Sequence, residues 1–428
     1  MKKPLRVERV LRLLPAIEAM EPLRSLLVST PRADDQARWS SSGPYLTIGK
    51  HNVDVDALRQ RVDSLVRRIG AHLTVLYDAY VRAVDALESG DGNVIVSALA
   101  DGGAAEERAN RVAQATAWYE VAFRVASELS DRGPEIEMLD RLGRIEHERA
   151  RFDESARYHQ RALVLCEATF DHAGAIRACI GLGHASLARD EPDGAHAWYL
   201  RALRQAESIP NPEWIGTIER HLGEVAWRQG DATKARARLR RAREVLEPLS
   251  SPTELARVLA ATARIESQVG NTDDAIAAGR EALAWSEAPA ADPLVRIDIL
   301  LEMADVYASS GLLFDADNEL RRAEELAIAK RLSDRLIDVY VAMGKVCAIR
   351  GDETGFVFFE QAADLCHALA PLTSREGRVY EEYGNFRIRF KEPEEGLAHL
   401  QRARQIFEAA GDRASLARLS RELEAASA

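Results

Sequence analysis

The sequence predicts an all-α solenoid, in which helical hairpins stack along the chain. Three features of the 428 residues support this prediction. A Gly or Ala returns at a nearly constant interval, at Gly143, Gly183, Gly223, Ala263, Ala304, Gly344 and Gly384. An alanine follows each of them about half a period later, at Ala162, Ala202, Ala242, Ala282, Ala323, Ala362 and Ala403. Amphipathic stretches also come in pairs with a short break between them, and a fixed period of about 20–50 residues is typical of stacked repeats.

Residues 216–247 show how one unit is built. Apolar residues with helical spacing lie on both sides of a break at Gly230-Asp231, namely Leu222, Val225 and Ala226 before it and Ala235, Leu239, Ala242 and Leu246 after it. Gly270, Gly311 and Gly351 mark the same break in later units. Glycine suits the break because a left-handed residue often ends a helix. The recurring small residue is expected where the two helices cross, since a Leu at Gly223 would force them apart at a cost of roughly 1–3 kcal/mol.

These helix patterns resemble those of the tetratricopeptide repeat (TPR) family. The Leu-Gly pair of the family's first helix, helix A, appears at Leu142-Gly143 and Leu222-Gly223. The pattern of its second helix, helix B, is a small residue, an aromatic or Leu four later and an Ala three after that. It appears at Ala195, Tyr199 and Ala202, at Ala316, Leu320 and Ala323, and at Gly355, Phe359 and Ala362.

The resemblance implies a right-handed α-solenoid of TPR-like hairpins. The period of this chain, about 40 residues, is longer than that of the basic repeat, which is about 34 residues. The difference implies longer helices. The period of this chain is similar to the long period in arrays of kinesin light chains and of bacterial peptide-sensing or MalT-type regulators.

The repeat divides the chain into four predicted segments. Residues 1–52 form a small irregular N-terminal segment, and residues 53–100 an N-terminal helical region. Residues 101–410 form a TPR-like array of about seven to eight repeats, and residues 411–428 a helix that caps the last apolar face. An eighth unit precedes the seven clear ones, because Ala115, Tyr119 and Ala122 match helix B in register. Its helix A is expected to be short or broken at Asp101-Gly102-Gly103.

The N-terminal segment differs in character from the array. Residues 5–20 are predicted to form a helix. Ser25–Ser29 and Tyr45–Ile48 are rich in apolar, β-branched and aromatic residues and flank a turn-rich stretch, so they are predicted to pair as a hairpin. The segment shows no helix-turn-helix pattern.

Composition limits the classes of function. The hydrophobic content of 46% and charged content of 29% fit a folded soluble protein, and the net charge of −11 argues against a dedicated nucleic-acid binder. A membrane span needs about 18 or more consecutive apolar residues. No stretch approaches that length, so we expect no membrane span and a cytoplasmic protein.

The cysteines form no CxxC pair and lie in apolar helical contexts, which predicts buried thiols in a reducing compartment. They are Cys166, Cys179, Cys347 and Cys366.

No catalytic constellation stands out in the sequence. Five histidines follow one another at nearly equal spacing, at His147, His159, His172, His184 and His196. Because they alternate between helices, they are expected to spread along the array and serve mainly in packing. There is no GxxxxGK[ST] loop and no GxGxxG after a strand, and residues 90–93 read as a turn and not as a cation loop. We therefore expect no catalytic residues, no cofactor and no metal, and a protein that is not an enzyme.

The resemblance to TPR proteins implies that helix A lines the concave groove. Mapping the family's groove positions onto this sequence gives a basic middle third, formed by Arg177, His184, Arg220, Trp227, Arg228, Arg257 and Arg264. The first unit contributes Glu137, Asp140, Arg144 and Glu148, and later units contribute Asp298, Asp305, Asp338, Lys345, Arg378 and Arg389. Arginines suit carboxylates or acidic peptide segments, and Trp227 is a candidate anchor. The alternative stays open, because surface helix positions are usually charged and runs of one sign arise by chance.

The function predicted from these features is a cytoplasmic, non-enzymatic scaffold. It binds a peptide or partner protein, with an acidic one favoured, in the groove of a TPR superhelix, and has no direct nucleic-acid or membrane partner. The alternative is a ligand- or peptide-responsive bacterial regulator that uses the array as its sensor. The partner, the pathway and the oligomeric state stay open at this point.

Overall fold

The computed structural model describes residues 38–39, 45–48, 51–54, 82, 91–108, 112–249, 251–288, 291–330, 332–369 and 373–427. The chain divides into two compact units, residues 1–145 and residues 146–428. Helices dominate the described part of both units, which confirms the predicted fold class. The helix predicted over residues 5–20, and almost all of the amphipathic stretch over residues 53–88, lie outside the described residues.

The first unit contains a small antiparallel sheet of three strands, β1 (Arg38–Trp39), β2 (Tyr45–Ile48) and β3 (His51–Asp54). The strand order is β1-β2-β3, and Tyr45 pairs with Asp54 in the β2–β3 hairpin. Both edges of β2 are therefore occupied. The predicted strand at Tyr45–Ile48 is present, and the partner predicted for it, Ser25–Ser29, lies outside the described residues.

A helical hairpin follows in the first unit, formed by α1 (Gly92–Arg108) and α2 (Val112–Ala126). The Asp91 carboxylate accepts a hydrogen bond from the Asn93 backbone N–H at 2.9 Å and caps α1. Helix α1 runs unbroken through residues 102 and 103, so the prediction of a short or broken helix A is wrong. The two glycines serve packing and do not break the helix. A Cβ on Gly102 would lie 2.6 Å from the ring of Trp118, and a Cβ on Gly103 would lie 2.5 Å from the ring of Tyr119.

The remaining helices form the rest of the array. They are α3 (Gly133–Glu148), α4 (Phe152–Thr169), α5 (His172–Ala188), α6 (Pro192–Ala206), α7 (Pro212–Arg228), α8 (Ala232–Leu246), α9 (Pro252–Val269), α10 (Thr272–Ser286), α11 (Pro293–Ser309), α12 (Leu313–Lys330), α13 (Ser333–Arg350), α14 (Gly355–Leu369), α15 (Ser374–Arg389), α16 (Pro393–Ala410) and α17 (Arg413–Ser427). From α3 to α15 the odd-numbered helices are the A helices and from α4 to α16 the even-numbered ones are the B helices. Helices of 15 to 18 residues account for the long period.

The small residue of helix A meets the large residue of helix B at the crossings of Gly183, Gly223 and Gly344. A Cβ on Gly183 would lie 2.6 Å from Cζ of Tyr199, and one on Gly344 would lie 2.5 Å from the ring of Phe359. Gly223 faces Leu239 with more room, at 3.1 Å. The second periodic residue is also packed, since all seven of the predicted alanines of the B helices are at most 1% exposed. The crossing predicted from the repeat period is confirmed.

The turn from helix A to helix B uses one left-handed residue in each of the seven repeats from α3 to α16. Gly230, Gly270, Gly311 and Gly351 have φ values between 76° and 89°, as the sequence predicts. Ala150, Asp190 and Lys391 take the same place with φ values of 57°, 61° and 67°. The next N–H then bonds to a carbonyl near the end of helix A, for example from Asp231 to Ala226 at 2.9 Å, which satisfies that helix end.

Packing is continuous along the second unit. One apolar cluster extends from α7 to α13, and successive A helices from α7 to α15 contact each other directly. In α17, Leu419 packs against Leu400, Ala403 and Phe407 of α16. The four cysteines are free and buried, as predicted.

Candidate functional site

The seven residues predicted for the basic groove all lie on three consecutive A helices. Arg177 and His184 belong to α5, then Arg220, Trp227 and Arg228 to α7, and Arg257 and Arg264 to α9. We call this set the middle A face. Arg177, Arg228 and Arg257 are exposed, whereas His184, Arg220, Trp227 and Arg264 are partly buried.

A row of three histidines crosses the α3, α5 and α7 helices. His147, His184 and His221 follow one another at one constant interval, slightly shorter than the repeat period. Their ring centroids lie 6.2 Å apart between the first and second and 4.6 Å apart between the second and third. Tyr199 of helix α6 stacks on His221 at 5.1 Å. The sequence prediction included His147 and His184 but missed His221, which this constant interval would have revealed.

Burial keeps this row neutral. It lowers the pKa of His184 to about 3, with help from His147 and Arg220, and lowers the pKa of His221 well below its usual value. Arg220 Nη2 lies 3.2 Å from His221 Nε2, and His221 Nδ1 lies 3.4 Å from His184 Nε2. Because an arginine only donates, His221 must accept at Nε2 and carry its proton at Nδ1, from which it donates to His184. The row therefore holds the Arg220 guanidinium in place.

Acidic residues that the groove mapping did not include neutralise part of the middle A face. Glu224 of α7 forms an ion pair with Arg264 and lies 3.6 Å from Arg228. Glu254 of α9 pairs with Arg257 at 2.8 Å. The face is thus less basic than the sequence predicts.

Two other predicted residues differ in their surroundings. Arg177 has no ion pair or hydrogen bond with any of the described residues, so its guanidinium is available. Trp227 packs against the apolar cluster of α7–α13 and presents only part of its ring to solvent. The exposed arginines of the middle A face are therefore more accessible to a partner than the tryptophan.

Several polar atoms of this region are buried without a protein partner. Within the described residues, Arg220 Nε, Arg264 Nε and the Tyr199 hydroxyl have none. Unsatisfied buried polar atoms are uncommon in native proteins, and each requires an explanation such as an ion, a water molecule or a ligand.

The sign of the charge changes at the next A helix. Asp298, Glu302 and Asp305 lie on one face of α11, because they are four and three positions apart. Asp298 lies 3.3 Å from Arg335 of α13, while the buried Glu302 Oε2 has no hydrogen-bond partner in the described part of the chain. Burial raises the pKa of both carboxyls. Asp298 and Asp305 were predicted for this surface, whereas Glu302 was missed.

The described residues contain no group of three or more His, Cys, Asp or Glu side chains that could hold a metal ion. None of the described helices is long and apolar enough to cross a membrane. The arrangement consists of fixed charges on successive helices, which is suited to binding a chain that lies across them.

Comparisons with known proteins agree with the repeat. The family model for the tetratricopeptide repeat matches residues 214–288. None of the curated proteins matches the sequence.

Among solved structures, a Rap protein complexed with Competence and Sporulation Factor is similar, with a TM-score of 0.50 and 15% identity, over 74% of this chain and 93% of that one. The apo form of the quorum sensor NprR from B. thuringiensis has a TM-score of 0.48 and 13% identity, over 83% of this chain and 93% of that one. A signal transduction ATPase with a tetratricopeptide repeat sensor from Pyrococcus horikoshii has a TM-score of 0.46 and 14% identity, over 95% of this chain and 64% of that one.

The family match covers α7 to α10, and hairpins with the same crossing residues lie before and after it. Residues 214–288 therefore match the tetratricopeptide repeat, and the hairpins before and after them repeat the same fold.

Proposed function

We propose that this protein is a non-enzymatic scaffold that binds a peptide or a partner protein across the middle A face. Its surface consists of Arg177, His184, Arg220, Trp227, Arg228, Arg257 and Arg264. The observation that supports this most is that Arg220 and Arg264 are held in position by neighbouring side chains, yet each keeps a buried Nε without a protein partner. Guanidinium groups held in this way need little reordering when a ligand binds.

An acidic segment is the ligand that suits this surface. Guanidinium groups bind carboxylates through two parallel hydrogen bonds, which gives both affinity and orientation. The exposed pair between Arg257 and Glu254 stabilises the free protein little, since surface ion pairs contribute about 0–1 kcal/mol. A ligand carboxylate can therefore recruit Arg257 at small cost, together with the unpaired Arg177.

The test is a charge reversal on two exposed arginines of the face. Arg177→Glu combined with Arg257→Glu is compared with Arg204→Glu combined with Arg240→Glu, which places the same charge change on the exposed surface of helices α6 and α8. The probe is a library of fluorescein-labelled hexapeptides with one fixed Asp, and binding is followed by anisotropy. We expect the A-face variant to lose at least about tenfold in affinity, equivalent to about 1.4 kcal/mol. Equal affinity of the two variants would remove the middle A face as the binding surface.

A regulatory form of this function is the second candidate. The similar Rap protein was solved in complex with Competence and Sporulation Factor, so a solenoid of this fold is able to hold a signalling factor. In a regulator, ligand binding should change the exchange of backbone amide protons in strands β1–β3, whereas in a pure scaffold it should not. Amide exchange of the full chain with and without a bound hexapeptide distinguishes the two.

A further inference from the structure

We infer that the bound peptide also carries a positive group, which occupies a cation subsite formed by Asp298, Glu302 and Asp305 on α11. This inference rests on the proposed function and adds a second charge, of opposite sign, to its ligand. The ligand class is a bipolar peptide, with a carboxylate for the arginines of α7 and α9 and a lysine, arginine or terminal ammonium for α11.

The first argument is the change of sign between equivalent positions of two neighbouring helices. Asp298 follows Arg257 by one repeat period, and Asp305 follows Arg264 by the same interval, so each pair holds the same place in successive repeats. Helices α9 and α11 contact each other. A basic and an acidic side therefore lie next to each other on one surface.

The second argument is that these opposite charges do not pair with each other. Arg264 pairs with Glu224 of α7, and Asp298 lies closest to Arg335 of α13, so each turns to the helix on its far side. Among the described residues no salt bridge joins Arg257 to Asp298 or Arg264 to Asp305. The boundary between α9 and α11 thus lies between charges of opposite sign that do not neutralise each other.

The third argument is the Glu302 carboxyl group. Its Oε2 is buried and has no protein donor in the part of the chain that the structure describes. Burial raises the pKa of this carboxyl, and Asp298 and Glu224 raise it further, while Arg264 and Arg220 lower it. A buried carboxylate oxygen without a donor destabilises the free protein, and a cation placed against this carboxyl group reduces that penalty.

Helix geometry sets the distance between the two charges of the ligand. Packed helix axes lie about 8–10 Å apart, and a peptide in the polyproline II conformation advances about 3.1 Å per residue with three residues per turn. Acidic and basic side chains about three residues apart then share one face of the peptide and span this distance. Its acidic end points towards α7 and its basic end towards α11.

The experiment uses the full chain and four labelled hexapeptide libraries, in which X is a mixture of uncharged residues. Two are bipolar, X-Asp-X-X-Lys-X and X-Lys-X-X-Asp-X, and two carry one charge, X-Asp-X-X-X-X and X-X-X-X-Lys-X. We expect one bipolar library to bind at least tenfold more tightly than either single-charge library. Asp298→Asn combined with Glu302→Gln should abolish this advantage and keep the affinity for the Asp-only library.

The matched control is Glu244→Gln combined with Asp273→Asn, which removes two exposed carboxylates from helices α8 and α10 and should keep the tenfold advantage. The thermal midpoint of Glu302→Gln should be no lower than that of the wild type, so a loss of selectivity cannot be ascribed to unfolding. If the Asp-only library binds as tightly as the bipolar ones, or if the α11 variant keeps the advantage, the cation subsite is refuted while the proposed function stands. If none of the four libraries binds, peptide binding across the middle A face is refuted as well.

Discussion

Gly183→Ala should destabilise the second repeat strongly, although alanine is the better helix former. The new Cβ would lie 2.6 Å from Cζ of Tyr199, whereas carbon atoms in contact lie about 3.5–4.0 Å apart, so the ring would have to move by roughly 1 Å. The ring has little freedom, since Tyr199 is fully buried and stacks on His221. Overpacking costs about 1–3 kcal/mol or more, and the higher helix propensity of alanine returns about 1 kcal/mol.

Gly223→Ala is the matched control. Its Cβ would meet Leu239 at 3.1 Å, a distance that a small shift of the Leu side chain relieves, so the two effects should nearly cancel. Gly183→Ala should therefore lose at least about 1 kcal/mol more than Gly223→Ala. The measurement is the opening free energy of amides in α5–α8 by hydrogen exchange, because long repeat arrays need not unfold in two states.

A second substitution tests the cause. Tyr199→Leu added to Gly183→Ala creates the combination that the chain uses at Ala304 and Leu320, and it should recover part of the lost free energy. Two results would refute the packing argument. One is equal protection of the α5–α6 amides in Gly183→Ala and Gly223→Ala. The other is a double variant whose loss of stability exceeds the sum of the losses in the two single variants.

Three further predictions concern pH, backbone and thiols. Because the folded pKa values of His184 and His221 are depressed, the unfolded chain binds more protons than the folded one below about pH 6.5. The free energy of unfolding should therefore fall towards pH 3, by up to about 1.4 kcal/mol per pH unit for each histidine. Urea titrations at several pH values should show this fall, and a flat profile would contradict it. Lys391→Gly should stabilise the chain by roughly 0.5–1 kcal/mol, since its φ of 67° favours glycine, and unchanged or faster amide exchange in α15–α16 would contradict this. Burial raises the pKa of Cys179 to about 11 and that of Cys366 to about 12, so both thiols should resist iodoacetamide at pH 8 until urea unfolds the chain, and rapid labelling in native buffer would show otherwise.

Most of the fold of the array was predictable from the sequence because its packing is local. A crossing residue meets its partner on the next helix of the chain, as Gly183 of α5 meets Tyr199 of α6, so a short periodic pattern records the contact. The same rule applies to Gly103, which precedes Gly143 by one repeat period and precedes Tyr119 by the interval that separates Gly183 from Tyr199. Two successive glycines suggest a broken helix, and only the buried rings of α2 show why the helix continues.

The candidate site was less predictable because its contacts join different repeats. The register correctly placed Arg220 and Arg264 on A helices, but Glu224 pairs with Arg264 across a full repeat and was not recognised as its partner. Spacing along one helix does not say which neighbour an arginine chooses. The burial of the Glu302 Oε2 atom likewise depends on the helices around it and has no signal in its own segment.

The measurement that tests the central claim most directly is the location of a bound peptide on the array. Amide hydrogen exchange of the full chain, saturated with the tightest-binding hexapeptide library, reports which helices the ligand covers. We predict that protection increases in α5, α7, α9 and α11, the helices that carry Arg177, Arg220, Arg264 and Glu302. Protection confined to the B helices α4, α6, α8 and α10 would contradict the proposal that this protein binds its partner across the A face.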